Sequence, residues 1–288
     1  MTLPNFLIIG ANKAGTTSLY RYLGDHPQVY MSPVKEPGFF AFEAGQQAGD
    51  GAQAVGGSLE AYLRLFDGVR DEKAIGEAST RYLANARTPA RIHAMIPDAR
   101  LIAVLRNPVE RAFSAYSTRV FEGTEPATFA DAIADELDRR AAGVPSERYY
   151  VGVGFYGLQL SRYLEYFGGD QLRVYLYEDS VEDPVSMLKS AFAFLDVDPS
   201  FTPDTSTRYN RTQHRPKSRA LIRLARARPV MRVARATVPG RARAAIRQRL
   251  SVVPELPDDV RRLLIDVYRD DILLTQEIIG RDLSAWLQ

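Results

Sequence analysis

The stretch Gly10-Ala11-Asn12-Lys13-Ala14-Gly15-Thr16-Thr17-Ser18 holds the residues whose types and spacing point most directly to chemistry. The apolar run Phe6-Leu7-Ile8-Ile9 leads into it, and a helical pattern with Leu19, Tyr20 and Leu23 follows. Strand, glycine-bearing turn and helix aim several main-chain N–H groups and a helix N-terminus at one spot. Both favour an anion, so the stretch reads as a phosphate cradle. Gly10-x4-Gly15 has the glycine spacing of a nucleotide-triphosphate loop, but Thr16-Thr17 stands where that loop has Lys-Ser/Thr. The lysine comes earlier, at Lys13. That displacement implies a shorter anion and no obligatory Mg²⁺.

The surrounding pattern supplies the scaffold. Residues 5–10 read as a buried strand and 16–24 as a helix stopped by Asp25-His26-Pro27. Val29–Met31 is short and extended, 74–77 a short strand, 100–105 the clearest buried strand and 172–176 another. Helices are expected over 59–66, 89–96, from Pro108 through Tyr116, about 128–142, 157–167, 184–195 and 257–279. Residues 44–57, rich in Gly, Ala and Gln, read as a surface loop. Strands alternating with helices imply an α/β fold, a P-loop-like parallel sheet flanked by helices on both faces, with extra C-terminal helices. The loops 10–18, 77–82 and 106–114 then gather at the carboxyl edge, where such sheets bind ligands. A single domain over 1–288 is expected.

Composition narrows the chemistry. The 288 residues include no cysteine, which excludes disulfides and thiol catalysis. The three histidines, His26, His93 and His214, lack ligand spacing, so no metal is expected. No basic leader precedes the first apolar run, and no stretch nears the length of a membrane span; the chain reads as cytoplasmic. The net charge of +2 hides an asymmetry. Arg215 to Leu250 holds 12 Lys/Arg and no Asp/Glu, leaving 25 basic against 35 acidic residues elsewhere. Residues 219–250 read as amphipathic helices broken near Pro229 and Pro239. Three readings stand for this arm: a solvated insertion, a lid that recruits an anionic acceptor, or a peripheral contact with the inner membrane surface. Nucleic acid is not an expected partner of the acidic body.

Phe6 to Ser18, with its Lys-Ala-Gly-Thr-Thr-Ser core, resembles the 5′-phosphosulfate loop of the sulfotransferases that use 3′-phosphoadenosine 5′-phosphosulfate (PAPS). Arg106-Asn107-Pro108-Val109-Glu110-Arg111-Ala112-Phe113-Ser114 resembles their 3′-phosphate motif, with arginine ending a strand and serine eight residues later on a helix. The resemblance continues in Lys35-Glu36-Pro37-Gly38-Phe39-Phe40 and in Leu283-Ser284-Ala285-Trp286, and covers most of the chain. It is nearest to the heparan-sulfate-type members that use a glutamate base.

The resemblance implies roles. Lys13 would stabilise the leaving phosphate, and the Ala14, Gly15, Thr16, Thr17 and Ser18 turn would hold the 5′-phosphosulfate. Arg106 offers a multi-donor fork for the 3′-phosphate, with Ser114 adding a hydroxyl. Glu36 stands where these enzymes carry their base, and the phenylalanine pair would desolvate it. His26 is the rival base. Tyr156 and the basic loop with Lys217, Ser218 and Arg219 are further cofactor contacts on this reading. One departure stands out: Ala78 occupies the position of a lysine common in Glu-Lys-Thr relatives, leaving Arg81 or Lys13 to supply the charge. The implied reaction is sulfuryl transfer to a hydroxyl or amine of a carbohydrate, glycolipid or secondary metabolite. A P-loop-type kinase is the alternative within enzymes, and a membrane- or polyanion-binding module the alternative from another class.

Overall fold

A computed structural model describes residues 2–43, 55–144, 150–206, 215–216, 251–252 and 255–288. The chain divides into two compact units, one of Met1–Arg111, Gly152–Asn210 and Ile265–Gln288, the other of Ala112–Val151 and Arg211–Leu264.

The first unit is built on a five-stranded sheet of β1 (Phe6–Gly10), β2 (Val29–Met31), β3 (Ala74–Ala78), β4 (Arg100–Leu105) and β5 (Leu172–Leu176), in the order β2-β3-β1-β4-β5. All four pairings are parallel. β1 is buried along its whole length and β4 along all but its first residue, as expected for strands covered on both faces. Helix α1 (Thr16–Gly24) carries the chain from β1 to the β2 edge. Helices α2 (Leu59–Leu63), α3 (Arg81–Ala84) and α4 (Thr88–Met95) accompany its return across β1 to β4. Because right-handed crossovers are the rule, leaving in one direction and returning in the other puts helices on both faces.

Five parallel strands share one carboxyl edge. The segments after β1, β2, β3, β4 and β5 therefore converge there, and each expected strand falls within a residue of its observed bounds. Helix α5 (Pro108–Glu122) follows β4, and α6 (Phe129–Ala141) lies in the second unit. There, Glu136 is buried and accepts the Tyr150 and Val151 N–H groups at 2.6 and 2.9 Å. Helix α7 (Tyr156–Leu164) precedes β5. The short α8 (Tyr177–Glu182) and α9 (Pro184–Phe194) follow it, and α10 (Asp258–Ile279) is the long C-terminal helix. A two-residue antiparallel pair, β6 (Arg215–Pro216) with β7 (Ser251–Val252), belongs to the second unit. Among the described residues no helix is long and apolar enough to cross a membrane.

Candidate active site at the carboxyl edge of the sheet

The turn after β1 is tied to the neighbouring strand by the Ala11 N–H, which donates to the Val104 carbonyl at 2.7 Å. Gly15 precedes α1 with φ of 88°, a left-handed conformation that a side chain would strain. A Cβ there would also come within 3.2 Å of the Tyr177 ring. The turn thus has a close aromatic neighbour on one side. No side chain caps α1, and its N-terminal partial charge faces the same edge. Thr16 is buried, while Lys13, Thr17 and Ser18 are partly exposed.

Arg106 follows β4 directly. Its guanidinium lies 4.9 Å from the centroid of the Tyr177 ring, and Nη2 is 3.7 Å from Glu110 Oε2. Tyr177 therefore lies against both Arg106 and the glycine turn, and brings together Gly15 and Arg106, 91 residues apart. Burial pushes the Glu178 carboxyl above its ordinary value, while the charge of Arg106 opposes that rise. Asp179 Oδ2 and Oδ1 accept from Arg281 Nη1 and Nη2 at 2.5 and 2.9 Å, and Asp179 Oδ2 also accepts the Leu176 N–H, fixing the start of α8.

Tyr156 is fully buried, its ring edge-on to Trp286 at 6.2 Å. Burial raises its hydroxyl to about 12, with Arg111 and Arg106 pulling the other way. Its hydroxyl lies within the electrostatic reach of both arginines. Arg111 is buried as well, its N–H donating to the Asn107 carbonyl at 2.9 Å.

Glu36 arrives from the segment after β2. Its N–H donates to the Ala78 carbonyl at 2.8 Å. Its carboxylate accepts the Thr80 N–H and Thr80 Oγ1, both at 2.9 Å, and pairs with Lys35 Nζ at 2.8 Å. The end of β3 thus holds the base candidate from three points. Among the described residues only Lys13, Glu36 and Asp196 combine a side chain with positive φ, at 70°, 65° and 59°. Such conformations cost roughly 1–2 kcal/mol each, and they cluster where function over-determines the backbone. Two of the three are the lysine and glutamate singled out from the sequence.

The phenylalanine pair packs against two tyrosines. Phe39 stacks on Tyr62 at 4.4 Å, and Phe40 meets the Tyr62 and Tyr82 rings edge-on at 5.5 and 5.7 Å. The carboxyl beside the Tyr62 and Tyr82 hydroxyls is Glu77, which is wholly buried on β3 and which the motif reading gave no role. Desolvation raises it to about 8. The one sequence signal was an acidic residue inside an apolar strand beside Ala78.

Ser114 lies on α5 in the second unit and is partly exposed; its carbonyl accepts from Thr118 Oγ1 at 3.0 Å. Lys217, Ser218, Arg219 and the rest of residues 217–250 lie outside the described residues. Arg81 is exposed, with its guanidinium 5.2 Å from the Phe42 ring centroid.

His26 sits at the far end of α1 from the phosphate turn, about 14 Å away along a nine-residue helix. Its Nδ1 accepts the Gln28 N–H at 3.0 Å, so Nε2–H is the donor to the Asp198 carbonyl at 2.9 Å. Phe192 and Phe201 pack on its ring. His26→Ala should cost about 1–3 kcal/mol of stability, through the lost bonds and the unpaired groups left behind. Turnover per folded molecule should stay unchanged, as thermal melts and an active-fraction assay would show.

A profile described as the sulfotransferase family matches residues 60–203, half of the chain. A crystal structure of a sulfotransferase from Alicyclobacillus acidocaldarius superposes with a TM-score of 0.76 at 35% identity, covering all of both chains. The chain belongs to the sulfotransferase family. Curated relatives of this chain include human heparan sulfate glucosamine 3-O-sulfotransferase 3B1, 29% identical over 73% of the chain and 50% of the relative. Another is the membrane-associated sulfotransferase kil1 of Dictyostelium discoideum, 37% identical over 40% of the chain and 23% of the relative. The chain spans between about a quarter and a half of the length of the curated relatives it matches. The family assignment and the parallel sheet agree with the expected α/β sulfotransferase fold. The kinase and binding-module alternatives gain no support.

Proposed function

We propose that the protein transfers a sulfuryl group from PAPS to a hydroxyl or amine of an acceptor, with a saccharide as the leading acceptor class. The carrying observation is that the Lys13 turn and Arg106 both lie against Tyr177, with Glu36 fixed at the same carboxyl edge. The fit to a bisphosphorylated nucleotide rests on the glycine cradle at Gly15, the α1 N-terminus and the arginine fork. The saccharide preference rests on the heparan sulfate enzymes among the relatives.

PAPS would supply an activated sulfuryl group. Lys13 and the Ala14-Gly15-Thr16-Thr17-Ser18 turn would hold its 5′ end, and Arg106 the 3′-phosphate. The acceptor oxygen forms its bond to sulfur as the bond from sulfur to the phosphate oxygen breaks. The acceptor proton passes to a Glu36 carboxylate oxygen. Negative charge grows on the departing phosphate oxygen, where the Lys13 ammonium and the helix N-terminus stabilise it. Positioning and electrostatics supply most of the rate, and no metal enters the scheme.

Titration calorimetry against PAP, ATP and AMP tests the donor. PAP should bind without Mg²⁺ and more tightly than AMP by about 100-fold, the worth of a charge-assisted grip on the extra phosphate. ATP preferred over PAP would overturn the reading. Transfer of labelled sulfate from PAPS to a saccharide panel then tests the acceptor class.

A further inference from the structure

We propose that Glu77 is a positioning residue for Glu36: its carboxyl orients the hydroxyls of Ser79 and Tyr82, and these hydroxyls fix the turn on which Glu36 stands. The inference rests on Glu36 being the base of the proposed reaction. Ser79 Oγ donates to Glu77 Oε2 at 2.9 Å and accepts the Gly38 N–H at 2.9 Å. The Tyr82 hydroxyl bonds the same carboxyl and accepts the Phe40 N–H at 3.3 Å. A hydroxyl has one proton and two lone pairs. Once the carboxyl takes the proton, a lone pair is left to face the turn. Two struts thus run from one buried carboxyl to main-chain amides two and four residues beyond Glu36. They hold a segment in which Glu36 and Gly38 both have positive φ, 65° and 71°.

The carboxyl is neutral over most of the working range. The groups facing it are Glu36 from the segment after β2, Tyr62 from α2, Ser79 and Tyr82 after β3, and Tyr163 from α7. Burial first, and then Glu77, keeps the Tyr62 and Tyr82 phenols protonated well above 10, so they remain donors. Burial and the charge of Glu36 raise Glu77 from 4.5 to about 8. The folded protein therefore holds a proton that the unfolded chain releases above 4.5. Stability from this group is complete below that pH and is lost as pH rises to about 8. Above about 8 a second carboxylate appears beside Glu36, and the struts carry a charge they do not carry at pH 7.

The test uses the whole protein and the variants S79A, Y82F, E77Q and E77A. Amide hydrogen exchange at Gly38 and Phe40, read without substrate, should rise at least about tenfold in S79A and Y82F respectively, the loss of one hydrogen bond. In both, kcat should fall about tenfold while PAP affinity stays constant. E77Q, which keeps an acceptor and no charge, should retain kcat at pH 7, and should keep it above pH 8 where the unmodified protein declines. E77A should lose it; if E77A does not fold, the two strut variants and E77Q carry the test alone. Unchanged exchange at both amides, PAP affinity falling with kcat, or E77Q showing the same alkaline decline would overturn the proposal. Struts lost as expected in a protein that never transfers sulfuryl groups from PAPS would support the positioning and sink the sulfotransfer reading.

Discussion

Glu36→Gln is expected to lower kcat by 10² to 10⁴-fold, the usual worth of a positioned general base, while PAP affinity stays within error. The substitution changes little else. Glutamine keeps an oxygen to accept the Thr80 N–H or Oγ1, now at 2.9 Å from the two carboxylate oxygens. It loses the ion pair with Lys35 at 2.8 Å, but that pair is partly exposed, with side-chain exposures of 21% and 35%, and exposed pairs are worth about 0–1 kcal/mol. Fold and donor binding should survive while proton transfer does not. Single-turnover kinetics with bound donor separates the two. A Glu36→Gln protein of full activity would remove Glu36 as the base. His26 could not inherit the role, since both its ring nitrogens are engaged at the far end of α1.

Arg106→Ala carries the second large effect. Losing a fork that grips a phosphate through charge-assisted bonds should weaken PAP binding by about 3 kcal/mol, or over 100-fold. Stability should change much less. The contact with Glu110 is a 3.7 Å helix-spaced pair of partial exposure, and stacking on Tyr177 contributes about 0.5–1 kcal/mol. Arg106→Lys keeps the charge without the planar fork and should fall between. AMP, lacking the 3′-phosphate, should bind unmodified protein and Arg106→Ala alike. Calorimetry with both nucleotides measures the difference, and equal losses for PAP and AMP would move Arg106 from the 3′-phosphate to a structural role.

Much of the architecture was legible because it rests on local signals. Apolar runs flanked by Gly and Pro marked β1 and β4, and Thr16–Gly24 matched its helix without error. Lys13, Arg106 and Glu36 were legible for a related reason: each stands at a fixed offset from a strand end. Glu77 was not. It is buried beside Tyr62 and Tyr82, which only tertiary packing brings to it. Tyr177 escaped because an aromatic at the end of a strand reads as core. Only the left-handed turn at Gly15 and the guanidinium above the ring show what it touches. Helix α8 escaped because Glu178-Asp179-Ser180 reads as loop; Asp179, bonded to the Leu176 N–H at 2.9 Å, is what starts it.

The positive φ angles at Lys13 and Glu36 bear on how such a protein can drift. At both positions glycine fits the backbone at least as well as the resident side chain, and relief of strain offsets most of glycine's added chain entropy. A glycine at either position trades relief of backbone strain against the bonds of the lost side chain, which at Glu36 are those to the Thr80 N–H and Oγ1. Selection acting only through foldedness would weigh both residues by their strain and their bonds, and not by their chemistry. A collection of such variants sorted for thermal robustness would retain the sheet and the aromatic cluster while losing the reaction.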